Sequence, residues 1–137
     1  MLRKIGGVLG GLALAFIVVQ AVETIVHVMY PPPPGTDMRN VAAVKAFVAT
    51  LPLTAFLLVL FGWLVGTFAG TSAAAKIGRS SVPAYIVGAL LLCAGIANAM
   101  MIPQPLWFSI ASIAIYIVMT FAGAQLAAIT DRRVHAG

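Results

Sequence analysis

FGWLVGTFAGTSAAAKIG, residues 61–78, contains a single charged residue, Lys76, and a small residue at every fourth position: Gly62, Gly66, Gly70, Ala74 and Gly78. Residues four apart lie on one face of an α-helix. Glycine weakens a helix in water. In lipid each backbone N–H and C=O must bond within the protein, which leaves helices or closed barrels, and the alternation that a barrel needs is absent. A row of small residues then lets another helix approach until backbones touch. The stretch therefore reads as a membrane helix with a small-residue ridge, available for packing within one bundle or for a subunit contact. Other segments carry shorter matches: Gly6 with Gly10, Gly7 with Gly11, Ala84 with Gly88, and Gly95 with Ala99.

Composition agrees with lipid as the main solvent. Of 137 residues, 62% are hydrophobic and 8% charged, with mean hydropathy +1.09. A soluble domain has about a quarter of its residues charged, so too few are present here to cover a globule. The net charge of +5 would suggest nucleic acid in a soluble protein. Here the cations sit at the ends of apolar runs, a pattern of membrane orientation, and no nucleic-acid partner is expected. One cysteine, Cys93, excludes an intrachain disulfide, a CxxC pair and a cysteine-built zinc site.

Four apolar runs approach or exceed the roughly 20 residues a helix needs to cross the hydrocarbon core. They cover about residues 5–29, 53–77, 83–102 and 105–129. Arg3, Lys4, the first run and Val19-Gln20-Ala21 imitate a signal peptide; the segment is read as the first transmembrane helix. Pro52 suits a first helical turn, Gly78 a C-terminal cap, and Ser80 or Ser81 an N-cap. Pro103-Gln104-Pro105 leaves room only for a tight hairpin. The expected fold is all-α: a polytopic four-transmembrane-helix bundle forming one domain over residues 1–137.

With four spans, both termini share a side with the loop between the second and third. That side holds Arg3, Lys4, Lys76, Arg79, Arg132 and Arg133, the other only Arg39 and Lys45. The bias places the termini in the cytoplasm. The outer connection, residues 30–52, starts with Pro31 to Pro34, an extended spacer. After Asp37 or Asn40 as cap, Val41, Val44, Phe47, Val48 and Leu51 recur at helical spacing, which predicts a short interfacial helix.

The first span carries a polar stripe before the prolines. Gln20, Glu23, Thr24 and His27 stand at i, i+3, i+4 and i+7, on one helix face. At about 1.5 Å per residue from Tyr30, Glu23 lies on the order of 10 Å below the outer interface. An ionised group there costs at least about 2–3 kcal/mol. Glu23 is therefore expected protonated, hydrated or paired, with His27 one turn away as partner. Asn98, Thr54, Ser109, Ser112 and Tyr116 fall at similar depth in the other spans. If the faces converge they form one outward-facing ligand or proton site; otherwise they clasp the helices with hydrogen bonds.

Other chemistries find less support. His27, Met29, Met38, Met100 and Met101 lie near the outer interface, and imidazole with thioethers suits Cu(I). No His-x-x-His or cysteine pair accompanies them, and His135 lies on the opposite tail, so no metal or haem cofactor is expected. Glu23 and His27 lack a nucleophile elbow or paired aspartates; the other acids, Asp37 and Asp131, fall on opposite sides. No enzyme activity is expected.

His27-x-x-Tyr30-Pro31-Pro32-Pro33, the glycine pattern ending in Ala75-Lys76-Ile77, and Asn98 with Ile102-Pro103-x-Pro105-x-Trp107 resemble a group of small bacterial four-helix membrane proteins. The resemblance spans most of the chain. It implies an architecture and a bacterial inner membrane, and no activity, since that group has none established. Small multidrug-resistance transporters are also four-helix proteins with a glutamate in the first helix. Their short loops, weak charge bias and proline and aromatic motifs are not matched here.

Two functions follow as expectations. One is a structural or accessory membrane protein that packs against itself or other membrane subunits, with the lipid bilayer as surroundings. The other is a small-ligand or proton-coupled binding or transport protein using Glu23 and His27. The charge bias also makes a direct prediction. A fluorescent protein fused after Gly137 should fold and fluoresce in a bacterial host, and an alkaline phosphatase fused there should be inactive. The reverse pattern would invert the topology.

Overall fold

A computed structural model describes the backbone of residues 1–137 and every side chain except those of Thr130 and Asp131; Asp131, counted above among the acids, thus lies outside the described side chains. Five helices account for most of the chain: α1 (Leu2–Met29), α2 (Val41–Thr50), α3 (Leu53–Gly78), α4 (Val82–Met101) and α5 (Leu106–Ala136). Four of them are long and apolar enough to cross a membrane. The protein is an all-helical bundle. Its outward faces carry large apolar side chains, among them Leu9, Phe16, Phe61, Ile110 and Val118, each more than half exposed. In water so much apolar surface would drive association; in hydrocarbon it is the solvated face.

Helix α3 is the hub, packed against α1, α4 and α5, while α4 also touches α1 and α5. Its small-residue ridge faces α1 of the same chain. A Cβ placed on Gly62 would lie 2.7 Å from Val22, on Gly66 2.7 Å from Val19, and on Gly70 2.7 Å from both the Ala15 Cβ and the Gly11 carbonyl oxygen. From the other side, a Cβ on Gly7 would lie 2.5 Å from the Ala74 carbonyl oxygen. The two antiparallel helices thus touch backbone to backbone over Gly7, Gly11 and Ala15. Further along, Val19 and Val22 fill the grooves over Gly66 and Gly62. Gly6 and Gly10, the parallel pair on α1, meet only the Ile77 side chain.

The core differs in side-chain size from end to end. Near the chain termini it is built from Ala75, Ala84, Ala124 and Ala127. Toward α2 it is built from Leu60, Trp63, Phe108 and Tyr116. Two glycines of α4 act as sockets for α5, Gly88 receiving Thr120 and Gly95 the Tyr116 ring, and Gly123 of α5 receives Thr71. Thr71 is fully buried and donates to the Thr67 carbonyl oxygen at 2.7 Å, so its hydroxyl is satisfied inside its own helix.

One helix end departs from the sequence reading. Gly78 does not adopt the left-handed capping conformation. Arg79 does, with φ 51° and ψ 39°, and the Ser80 N–H closes the cap on the Ala75 carbonyl oxygen. Left-handed geometry costs a non-glycine residue about 1–2 kcal/mol. Gly78 is committed elsewhere: a Cβ there would lie 2.6 Å from the Pro83 ring, so the glycine is needed for the turn into α4. At the other end of the loop, Ser80 rather than Ser81 supplies the capping oxygen, accepting from the Val82 N–H at 3.2 Å.

In the outer connection the proline spacer stops one residue early, in a turn over Pro34 and Gly35. Gly35 has φ +84° and the Thr36 N–H donates to the Pro33 carbonyl oxygen, geometry that suits Pro followed by Gly. Asn40 caps α2, accepting from Ala42 N–H at 2.9 Å; Asp37 instead accepts from Arg39 N–H in the preceding turn. Helix α2 stands off from the four long helices, with Val44, Phe47 and Val48, and Leu51 just past its end, half-buried; Val41, expected on the same face, is exposed in the first turn.

The α1–α3 approach yields a paired prediction. Gly70→Ala should lower stability by about 1–3 kcal/mol, since backbone must move. Gly6→Ala, whose Cβ would meet Ile77 at an ordinary 3.9 Å, should change it little. Reversible unfolding in mixed micelles measures both; equal effects would contradict the packing described.

Candidate functional site

Trp63 follows Gly62 on α3 and so points about 100° away from the α1 contact, toward α4 and α5. Its ring is 6% exposed, stacked on Tyr116 at 5.9 Å and tilted against Phe108 at 5.3 Å. Packed on both sides, it holds one orientation, and its Nε1–H donates to Glu23 Oε1 at 3.0 Å. Glu23 therefore takes its bond from an indole on the hub helix rather than from His27. An indole N–H in an apolar environment has few acceptors available, and a carboxylate is the strongest of them.

Glu23 and Trp63 stand beside a cleft of about 480 Å³. Leu12, Phe16, Val19, Gln20 and Glu23 of α1 form one wall; Leu91, Ala94, Gly95 and Asn98 of α4 form the other; Trp63, Thr67 and Tyr116 form the floor. The cleft has a structural cause. Toward the termini α1 and α4 close together, where a Cβ on Gly11 would lie 3.2 Å from Val87. Toward α2 the Trp63 and Tyr116 rings occupy the space between α3 and α5, and the walls stand apart. Phe16, Gln20 and Ala94 are exposed at the mouth, on the outer surface of the bundle.

A second cavity of about 250 Å³ lies on the α2 side, lined by Val48, Leu51, Phe56 and Gln104 among others. It shares Glu23, Trp63 and Asn98 with the cleft, so these three side chains form the partition between the two spaces. A smaller space of about 120 Å³ joins Glu23 to His27, Tyr30 and Phe47.

Of the residues singled out from the sequence, Gln20, Glu23, Asn98 and Tyr116 meet at the cleft. Others do not. Thr24 is exposed and donates back to the Gln20 carbonyl oxygen at 2.7 Å. Ser109 accepts from Gln104 Nε2 at 2.8 Å, and Ser112 is buried, donating to the Ser109 carbonyl oxygen at 2.8 Å. Ser109 thus ties the α4–α5 connection to α5, while Ser112 is satisfied within its own helix. Thr54 is exposed, as are His27, Met29, Met38, Met100 and Met101. Equal spacing on one helix does not make equal surroundings: α3 covers the Glu23 side of the stripe and leaves the Thr24 side bare.

Two contributors were not assigned to a polar site from sequence. Trp63 sits beside the small-residue ridge, and its N–H, which needs an acceptor when buried, is the signal that the sequence offers. Thr67, one helical turn from Trp63, is 1% exposed and lines the cleft, and its Oγ1 has no hydrogen-bond partner among the described residues. A buried hydroxyl without a partner is uncommon.

The arrangement offers one carboxyl group held by an aromatic donor, the amides of Gln20 and Asn98, and the hydroxyl-bearing side chains Thr67 and Tyr116 in a mostly apolar cleft. Compared with known proteins, the chain matches no family model, no curated protein and no solved structure.

The Glu23–Trp63 bond is open to direct measurement. A double-mutant cycle with Glu23→Leu and Trp63→Phe should give a coupling of about 0.6–2 kcal/mol, the range for hydrogen bonds between membrane helices. Strictly additive effects would show that the bond contributes nothing to folding.

Proposed function

We propose that this protein binds one small amphiphilic molecule from the membrane, in the cleft between α1 and α4, with Glu23 as anchoring group. What supports the reading is the convergence of Glu23, Trp63, Thr67 and Asn98 on a cavity that opens between helices. Polar groups inside a membrane bundle are costly and tend to mark ligand or ion sites. The cavity also falls within the roughly 300–1,000 Å³ of small-molecule sites and has their mostly apolar lining with a few polar groups.

The accessory reading rests on the ridge of Gly62, Gly66, Gly70, Ala74 and Gly78. All five residues lie against α1, and Gly78 also lies against Pro83, all within one chain. A contact with another copy or subunit therefore needs a different face. The bacterial inner membrane, with cytoplasmic termini, is the setting we infer. It is supported by the six cations at the terminal end against Arg39 and Lys45 at the other, and by the resemblance described above.

The test uses protein in lipid nanodiscs with Trp107→Phe, which leaves Trp63 as the sole tryptophan. Single-chain amphiphiles with a brominated dodecyl tail should quench Trp63 saturably. Ala94→Phe, which fills the mouth, should weaken that binding at least tenfold while the circular dichroism spectrum stays unchanged. Quenching that rises linearly with probe, alike in both variants, would dismiss the cleft as a binding site.

A further inference from the structure

Resting on the cleft reading, we propose that the ligand is a lipophilic cation, an ammonium-type head with an apolar tail. Its head lies against Glu23 and its tail runs toward the chain-terminal end of the cleft.

The charge lining the cleft points to the sign. Glu23 is the only acidic or basic side chain among its walls and floor. Lys45 lines a different cavity beneath α2, with Phe56 and Gln104. An anionic head would face a carboxyl group with no cation beside it in a medium of low dielectric, where like charges repel most strongly. A cation in the same place gains a counter-charge.

Acceptors are present in the right place. Trp63 occupies Oε1 of Glu23, which leaves the second carboxylate oxygen for the ligand. The Thr67 hydroxyl, buried without a partner among the described residues, and the Asn98 amide oxygen add acceptors along the same cleft. The Trp63 and Tyr116 rings, stacked on each other, form the floor beside the carboxyl group. A strongly hydrated metal ion would lose its water for one carboxylate and no other charged ligand, a poor exchange. A weakly hydrated organic cation loses less.

The distribution along the cleft sets the direction. Glu23, Gln20 and Asn98 lie toward α2, whereas Leu12 and Leu91 lie toward the termini. A head at one end and a tail at the other matches an amphiphile aligned with the lipids of the α2-side leaflet. The mouth between Phe16 and Ala94 admits it sideways from the bilayer.

The test compares three probes sharing the brominated dodecyl tail, with trimethylammonium, maltoside or sulfate heads. Each is titrated into Trp107→Phe protein in phosphatidylcholine nanodiscs, with quenching of Trp63 as the readout. The ammonium probe should bind at least tenfold more tightly than the maltoside, and the sulfate should show no saturable binding. Glu23→Gln, which keeps an oxygen to accept from Trp63, should reduce ammonium binding to the maltoside level. Asn98→Asp, which adds a second carboxylate, should tighten ammonium binding severalfold, a gain that misfolding cannot mimic. Saturable binding of all three probes alike, unchanged by Glu23→Gln, would overturn the cationic assignment and leave the cleft reading standing. No saturable binding of any probe would overturn both.

Discussion

Everything in this bundle is positioned by the contact of two backbones, α1 against α3. With Gly7, Gly11 and Ala15 opposing Gly78, Ala74 and Gly70, no long side chain separates the two helices. In lipid there is no hydrophobic drive between helices, and close packing has to supply the attraction. Each glycine lets many weak atom–atom contacts form at once. The rigid pair then serves as the wall on which α4 and α5 arrange themselves.

That arrangement is asymmetric because the side chains available to α3 change along its length. Near the termini it offers alanine and threonine, and α4 and α5 close down on Ala84, Ala124 and Ala127. Toward α2 it offers Leu60 and Trp63, which with Phe108 and Tyr116 hold the neighbours farther away. The cleft opens between α1 and α4 at this ring-filled end, beyond the point where Gly11 and Val87 bring the two helices together. The indole on its floor supplies the hydrogen bond to Glu23, so the cavity and its polar anchor share one side chain.

The glycine sockets explain how polar side chains are tolerated in so apolar a chain. Thr71 and Thr120 are buried against Gly123 and Gly88, and each donates to a carbonyl of its own helix. Their polarity is satisfied locally and asks nothing of a ligand. Thr67 differs, since its hydroxyl is buried without such a bond beside the Trp63 ring.

The number and character of the helices were legible in the residues, because hydropathy and length depend on each segment alone. So were the ridge on α3, the apolar underside of α2 and the polar stripe on α1, since helical periodicity assigns faces without knowing their neighbours. What periodicity cannot assign is which neighbour a face meets. The stripe of Gln20, Glu23, Thr24 and His27 looked uniform, yet α3 covers only part of it, so Glu23 has a buried donor and Thr24 none. Ser109 and Ser112 looked equivalent to Tyr116, but only Tyr116 reaches the cleft, through the socket at Gly95. The partnership of Glu23 with Trp63 joins residues forty apart in the chain. Local sequence determined that each had to find a polar partner; the α1–α3 contact decided that they found each other, because it fixes the depth and rotation at which the two helices meet.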